Sequence, residues 1–300
     1  MRRFFRVVSR IFRGFLIGLA ETVPGVSGGT IALVVGVYGA LIDGAARFVR
    51  AGVGLFRGKL AVSRRELSGV VWVVVIPVLV GMAGGVILGA ALLEPVVTEF
   101  PEETRGVFAG LILASLWIPW RMVGSWNTRL GLAALAAATL MVVFTGMGPL
   151  NNPDPSFWEI APAAALAMCA LVLPGVSGSF LLTVMGLYQP TIEAVNDRNV
   201  GYLAVFALGA LAGLALFVRA LQYLLENHRA ITLAIMTGLM AGSLRALWPW
   251  QGEGRELLGP GENLAGVSLG MIAGVLLVVS VVLVERFWLP RVNRSPLSQG

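Results

Sequence analysis

A Pro-Gly pair cannot sit inside a continuous α-helix, yet this chain carries one in the middle of each of two long apolar stretches. The first reads Glu21-Thr-Val-Pro-Gly-Val-Ser-Gly-Gly-Thr30 and the second Leu171-Val-Leu-Pro-Gly-Val-Ser-Gly-Ser-Phe180. Pro24, Gly25, Val26, Ser27 and Gly28 align with Pro174, Gly175, Val176, Ser177 and Gly178. The match continues through Gly36 and Gly186, Tyr38 and Tyr188, Ile42 and Ile192, Asp43 and Glu193. Proline lacks the backbone N–H and clashes with the preceding turn, so each copy must interrupt its helix. Broken apolar helices at corresponding positions of two halves point to a transporter binding site near the bilayer midplane.

Composition identifies the solvent. Apolar residues make up 57% of the chain and charged ones 13%, against about 25% charged in soluble domains. Several windows are long enough to span hydrocarbon and almost uncharged. The apolar runs are continuous rather than alternating, which argues against a β-barrel. Apolar segments fall at roughly 11–43, 68–93, 105–122, 129–147, 158–194, 202–224, 230–250 and 264–286. The order is a broken segment and three helices, then the same again. Gly81, Gly85, Gly110 and Ser115 recur as Gly209, Gly213, Gly238 and Ser243 at one constant offset. Cys169 is the single cysteine, so no internal disulfide forms. No metal or cofactor is expected.

Charge sets the topology. The connection after the first broken segment carries Arg47, Arg50, Arg57, Lys59, Arg64 and Arg65, which places it in the cytoplasm. Each broken segment is therefore expected to enter and leave on one face, as a re-entrant hairpin. Three helices between the hairpins then make the halves inverted repeats, with both termini cytoplasmic. Of the 22 Lys and Arg, only Arg105, Arg198, Arg245 and Arg255 fall outside. The net charge of +6 thus reflects topology, and nucleic acid is not a partner. The expected all-α polytopic fold has an amphipathic interfacial helix over 1–13 and a first repeat over 14–150. An inverted second repeat covers 151–290, and a cytoplasmic tail covers 291–300. Arg2, Arg3, Arg6, Arg10 and Arg13 lie off the Phe4, Phe5, Val8 and Phe12 face, as on an anionic leaflet.

Each motif supplies anion chemistry. After Pro24-Gly25 and Pro174-Gly175 the chain starts a new helix whose first N–H groups lack helical partners. Ser27, Gly28, Gly29 and Thr30 in one copy, and Ser177, Gly178 and Ser179 in the other, offer N–H and hydroxyl donors suited to phosphate. The plainer alternative is that Pro-Gly only turns each hairpin and the serines cap helices. Glu21 lies deep in apolar sequence, aligned with Leu171, so the symmetry does not require it. An ionisable group there is a functional candidate, here for ion coupling; the alternative is that it caps or pairs with backbone donors of the opposite hairpin. Arg245, near the outer end of its span, either meets a phosphate or snorkels to the surface. Tyr38 and Tyr188 either line the site or pack.

The doubled motif, with Gly-Leu-Tyr following the second copy, resembles the polyprenyl-phosphate translocase family called PopT. The resemblance runs from about Arg13 to about Leu289. It implies a multi-pass protein of the bacterial cytoplasmic membrane that returns undecaprenyl phosphate from the outer to the inner leaflet, recycling the carrier for envelope polymers. Proton or sodium coupling is expected, while the oligomeric state is open. Two other readings are weighed. Undecaprenyl-pyrophosphate phosphatases share the Ser-bearing re-entrant motif, but the arginine they carry beside the serine is replaced by Gly28 and Gly178. Hydrolysis needs an activated nucleophile and fixed cations at the phosphate, and no sufficient set is present. A small-anion secondary transporter is the third reading.

Overall fold

A computed structural model describes residues 2–22, 27–148, 150, 152, 154–252 and 254–287. Among them the chain is all helix, apart from one isolated bridge between Gln251 and Leu257. The first half contains α1 (Arg2–Glu21), α2 (Gly28–Val34), α3 (Tyr38–Phe56), α4 (Leu60–Ser68), α5 (Trp72–Glu99), α6 (Pro101–Ser115), α7 (Trp117–Val123) and α8 (Thr128–Gly146). The second contains α9 (Phe157–Val172), α10 (Gly178–Val184), α11 (Tyr188–Asn196), α12 (Val200–Asn227), α13 (Arg229–Ser243) and α14 (Leu264–Phe287). A 3₁₀ turn, Leu244–Leu247, extends α13.

Among the described residues, six helical stretches are long and apolar enough to cross a membrane: Trp72–Gly89, Pro101–Val123, Thr128–Gly146, Val200–Asn227, Arg229–Leu247 and Leu264–Leu283. They fall on the six unbroken segments expected from hydropathy. The α6–α7 and α13 spans are 50% and 56% buried, and the α14 span 17%. The former therefore form the centre, and α14 faces lipid.

Glycine decides how the helices approach. In α5, a Cβ on Gly81 or Gly85 would strike the carbonyls of Ile11 and Phe15 in α1. In α12, a Cβ on Gly209 or Gly213 would strike those of Ala161 and Ala165 in α9. These are the aligned residues of the two halves. Likewise Gly110 of α6 abuts Met271 of α14, and Gly238 of α13 abuts Ala134 of α8. Each half thus lends its last helix to the other. Small residues permit such close packing where lipid removes the hydrophobic drive between helices.

Three expectations need amendment. No boundary exists at Arg13: Arg2–Glu21 is one helix, and Gly14 and Gly18 hold its second half on α5. The first hairpin does not stop at Asp43 either. After a 120° bend from α2, α3 runs on to Phe56, and Asp43 is accommodated within it by pairing with Arg47 one turn later at 2.9 Å. The basic connection itself folds, as α4. There Arg50 bonds Glu66 at 3.0 Å and Gln222 of α12 at 2.9 Å, tying the halves together at that end.

Candidate functional site

The two hairpin tips meet in the buried interior. Pro174-Gly175 makes the second turn, and Gly175 has φ +85°, a left-handed conformation open to glycine. Its Cα also packs against the backbone of Met240 in α13, where no side chain fits. Gly29 lies close against the carbonyls of Leu171 and Val172, leaving little room for a side chain. Pro24 and Gly25 lie outside the described residues.

Hydrogen bonds join the tips. Ser27 Oγ donates to the Leu173 carbonyl at 3.0 Å. Gly175 N–H donates to Thr30 Oγ1 at 2.8 Å. Tyr38 OH, at the start of α3, donates to the Val172 carbonyl at 3.1 Å. Ser27 and Thr30 are 1% and 0% exposed, and the Gly175–Thr30 bond is buried. The first hairpin thereby satisfies backbone groups that the Pro-Gly break leaves open in the second.

The helix starts differ. Gly28 N–H donates to Glu21 Oε1 at 2.8 Å, and the carboxylate fills the space that a side chain at position 28 would need. The protein's own acid thus stands where an anion would cap α2. Its partner is the adjacent helix of its own hairpin rather than the opposite hairpin. At the second tip Leu171 replaces that acid. Ser177 Oγ accepts from Phe180 N–H at 3.4 Å and shares a hydrogen bond with Ser179 Oγ at 3.0 Å. Gly178 packs against the Ala167 carbonyl. The pseudo-symmetric motif is thus chemically lopsided, acidic on one side and hydroxyl-rich on the other.

Beside the tips lies an apolar groove of about 670 Å³. Glu21, Gly28, Gly29 and Tyr38 form its inner end; Phe48 and Phe56 of α3 and Leu211 of α12 form its outer part. Phe48, Phe56 and Leu211 are 50%, 94% and 61% exposed, so the rim faces lipid. Glu21, Ser27, Gly28, Gly29, Thr30, Gly175 and Tyr38 are therefore brought together, with Ser177, Gly178 and Ser179 on the adjoining turn. Tyr188 is not; it starts α11 and is 38% exposed. Arg245 also lies apart, in the 3₁₀ turn, with Nη2 donating to the Arg255 carbonyl at 3.2 Å. Neither Arg255 nor Arg105 was singled out from the sequence. The available signal was their exceptional place in the charge distribution. Among the described residues no cluster of three or more His, Cys, Asp or Glu has a metal-binding arrangement.

Comparison with known proteins places the chain in a family. Residues 17–264 match a family described as undecaprenyl phosphate translocase-like. The chain is 32% identical over 249 residues to a Vibrio cholerae protein named polyprenyl-phosphate transporter, covering 81% of this chain and 78% of the relative. It is 28% identical over 261 residues to a Staphylococcus aureus protein of the same name, covering 80% and 85%. No solved structure matches the chain. The family and both relatives are named for transport, in line with a carrier rather than an enzyme.

Proposed function

Because this chain belongs to the undecaprenyl phosphate translocase-like family, we propose that it carries polyprenyl phosphate from the outer to the cytoplasmic leaflet, recycling the lipid for envelope polymers. The observation that carries the reading is the groove: an apolar, lipid-facing channel whose inner end is the polar meeting point of two hairpins. That pairing of surfaces fits an amphiphile with one anionic end and a long isoprenoid tail. A small anion would have no use for the apolar wall.

The two halves, 14–150 and 151–290, act as inverted repeats with both termini cytoplasmic. The charge pattern and the aligned glycine contacts support this, and the three spans α5, α6–α7 and α8 separate the hairpins. The head group passes between the tips while the tail stays in lipid. Ser27, Thr30 and Tyr38 now bond the opposite hairpin, so the tips form a closed barrier. Passage requires that these bonds open, and the freed donors then serve the phosphate with Ser177 and Ser179. Rocking of one half against the other exposes them to each leaflet in turn. Sheltering the phosphate lowers the barrier, since an unpaired charge in hydrocarbon costs many kcal/mol.

Glu21 is the coupling residue. Its carboxylate repels phosphate and holds Gly28 N–H. Binding of a proton or sodium ion cancels that charge and lets the head group approach α2. Reconstitution tests the function. Undecaprenyl phosphate should disappear from the outer leaflet of proteoliposomes without release of free phosphate. Phosphate release would indicate an enzyme, and an unchanged outer pool would refute transport.

A further inference from the structure

Three of the four arginines that the charge pattern leaves on the outer side converge above the second hairpin. Arg105 lies in the first turns of α6, and its Nη1 donates to the Pro249 carbonyl at 3.0 Å. Arg245 donates from Nη2 to the Arg255 carbonyl, and its guanidinium covers Gly146 at the end of α8. The Arg255 guanidinium carbon lies 4.4 Å from the centre of the Phe180 ring. Phe180 is the residue whose N–H bonds Ser177 at the tip. Arg245 follows Met240, the residue that contacts Gly175, by five positions, or roughly 7 Å of helix. The cluster therefore stands directly outward of the closed tips.

Among the described residues these cations have no anionic partner. Their observed contacts are carbonyls and an aromatic ring. Two nearby acids are engaged elsewhere: Glu102 accepts from Trp250 Nε1 at 3.0 Å, and Glu103 from Asn263 Nδ2 at 2.6 Å. The Glu256 carboxylate lies against Gly252 and Gly254 and forms no ion pair with the three arginines among the described residues. Arg245 Nη1 and Arg255 Nη1 are both buried without a hydrogen-bond partner. Burial first, and then the charges of Arg245 and Arg105, lower the proton affinity of Arg255 below the usual arginine range. Arg255 also holds a left-handed backbone, φ +62°, which a non-glycine residue keeps only when its surroundings fix it. Gathering like charges and leaving buried N–H groups unpaired is unfavourable unless an anion completes the arrangement. Guanidinium forks match the oxygens of a phosphate group, two at a time.

We propose that Arg105, Arg245 and Arg255 form an outer docking site for the phosphomonoester head group of an isoprenoid lipid, which waits there above the closed tips before passage. The site rests on the transport reading given above. A lipid rather than free phosphate suits the rim, because Met147, Leu257 and Leu258 beside these arginines are 50%, 52% and 52% exposed. The site also separates two tasks. Capture at the outer surface uses fixed cations, whereas passage uses the neutral donors of the tips, which do not hold the phosphate too tightly to release it.

Equilibrium binding to the purified full chain tests the proposal, with farnesyl phosphate, farnesol and inorganic phosphate as probes. The parent should bind farnesyl phosphate in preference to both others. Arg245→Gln combined with Arg255→Gln should weaken that binding at least about ten-fold, the loss expected for charge-assisted bonds. The melting temperature of the unliganded variant should hold or rise, because repulsion is relieved. Arg255→Lys should retain part of the affinity. If the double variant melts lower, Arg105→Gln carries the test with the same expected direction. Parent-like binding in the folded variants overturns the docking site while leaving transport intact. Equal affinity for inorganic phosphate, or for farnesol, overturns the lipid head group as its ligand. If the parent binds none of the probes, the transport reading fails and the docking site with it.

Discussion

At the scale of single residues, the informative difference is between Glu21 and its counterpart Leu171. Glu21→Gln keeps a hydrogen-bond acceptor for Gly28 N–H but removes the charge, so folding should persist. The account expects slower transport and a flattened dependence on pH or sodium. The dependence of rate on each ion, measured in proteoliposomes, checks it; an unchanged profile reduces Glu21 to a helix cap. Ser27 and Ser177 separate in the same way. Ser27→Ala removes the inter-tip bond to the Leu173 carbonyl, which keeps its bond from Val176 N–H at 3.3 Å, at a cost of about 0.5–1.5 kcal/mol. Ser177→Ala removes a weaker contact at 3.4 Å and the bond shared with Ser179. Thermal melting should therefore fall more for Ser27→Ala. Binding of the lipid phosphate should weaken for both, and an equal loss of stability would show that the tips are not joined as described.

At the scale of elements, the glycine contacts carry the architecture. Gly213→Leu would drive α12 away from α9, and Gly85→Leu would drive α5 from α1; overpacking of this kind costs about 1–3 kcal/mol, and more where backbone is struck. Both variants should lose stability to a similar degree, because the contacts correspond. Gly84→Leu should be nearly neutral, since nothing lies within reach of a side chain there. Cysteine labelling in a Cys169-free background checks orientation: position 57 should be reached only from the cytoplasmic side. Much of this level was legible in the sequence. The six spans follow from continuous apolarity, and the hairpins from Pro-Gly where a helix should continue. The length of α3 was not legible, because Asp43 reads as the end of an apolar run until Arg47 is seen one turn away. The unbroken α1 was hidden for a similar reason, since its basic face resembles a surface helix. Its partner α5 is distant in sequence. The tip-to-tip bonds were invisible because their acceptors are backbone carbonyls, which no side-chain pattern marks. Arg245 stood out in the sequence, but its convergence with Arg105 and Arg255 did not, because the three come from separate segments.

At the scale of the whole molecule, the proposed mechanism makes the hairpin tips a barrier between the arginine cluster and the apolar groove. The ion pairs among Asp43, Arg47, Arg50 and Glu66 are about a third exposed or less and tie α3 to α4. Partly exposed pairs of this kind contribute little, on the order of 1 kcal/mol, so the α3–α4 contact can open without large cost. The tips are the stronger closure, being buried and bonded on both sides. The central claim is that polyprenyl phosphate crosses only when these tips part. Its most direct measurement is transport by a Ser27→Cys, Leu173→Cys variant lacking Cys169, in proteoliposomes, before and after oxidation. The reduced protein should clear undecaprenyl phosphate from the outer leaflet without releasing phosphate. The oxidised protein should stop, and reduction should restore it. Continued transport with the tips verified as cross-linked would contradict the account.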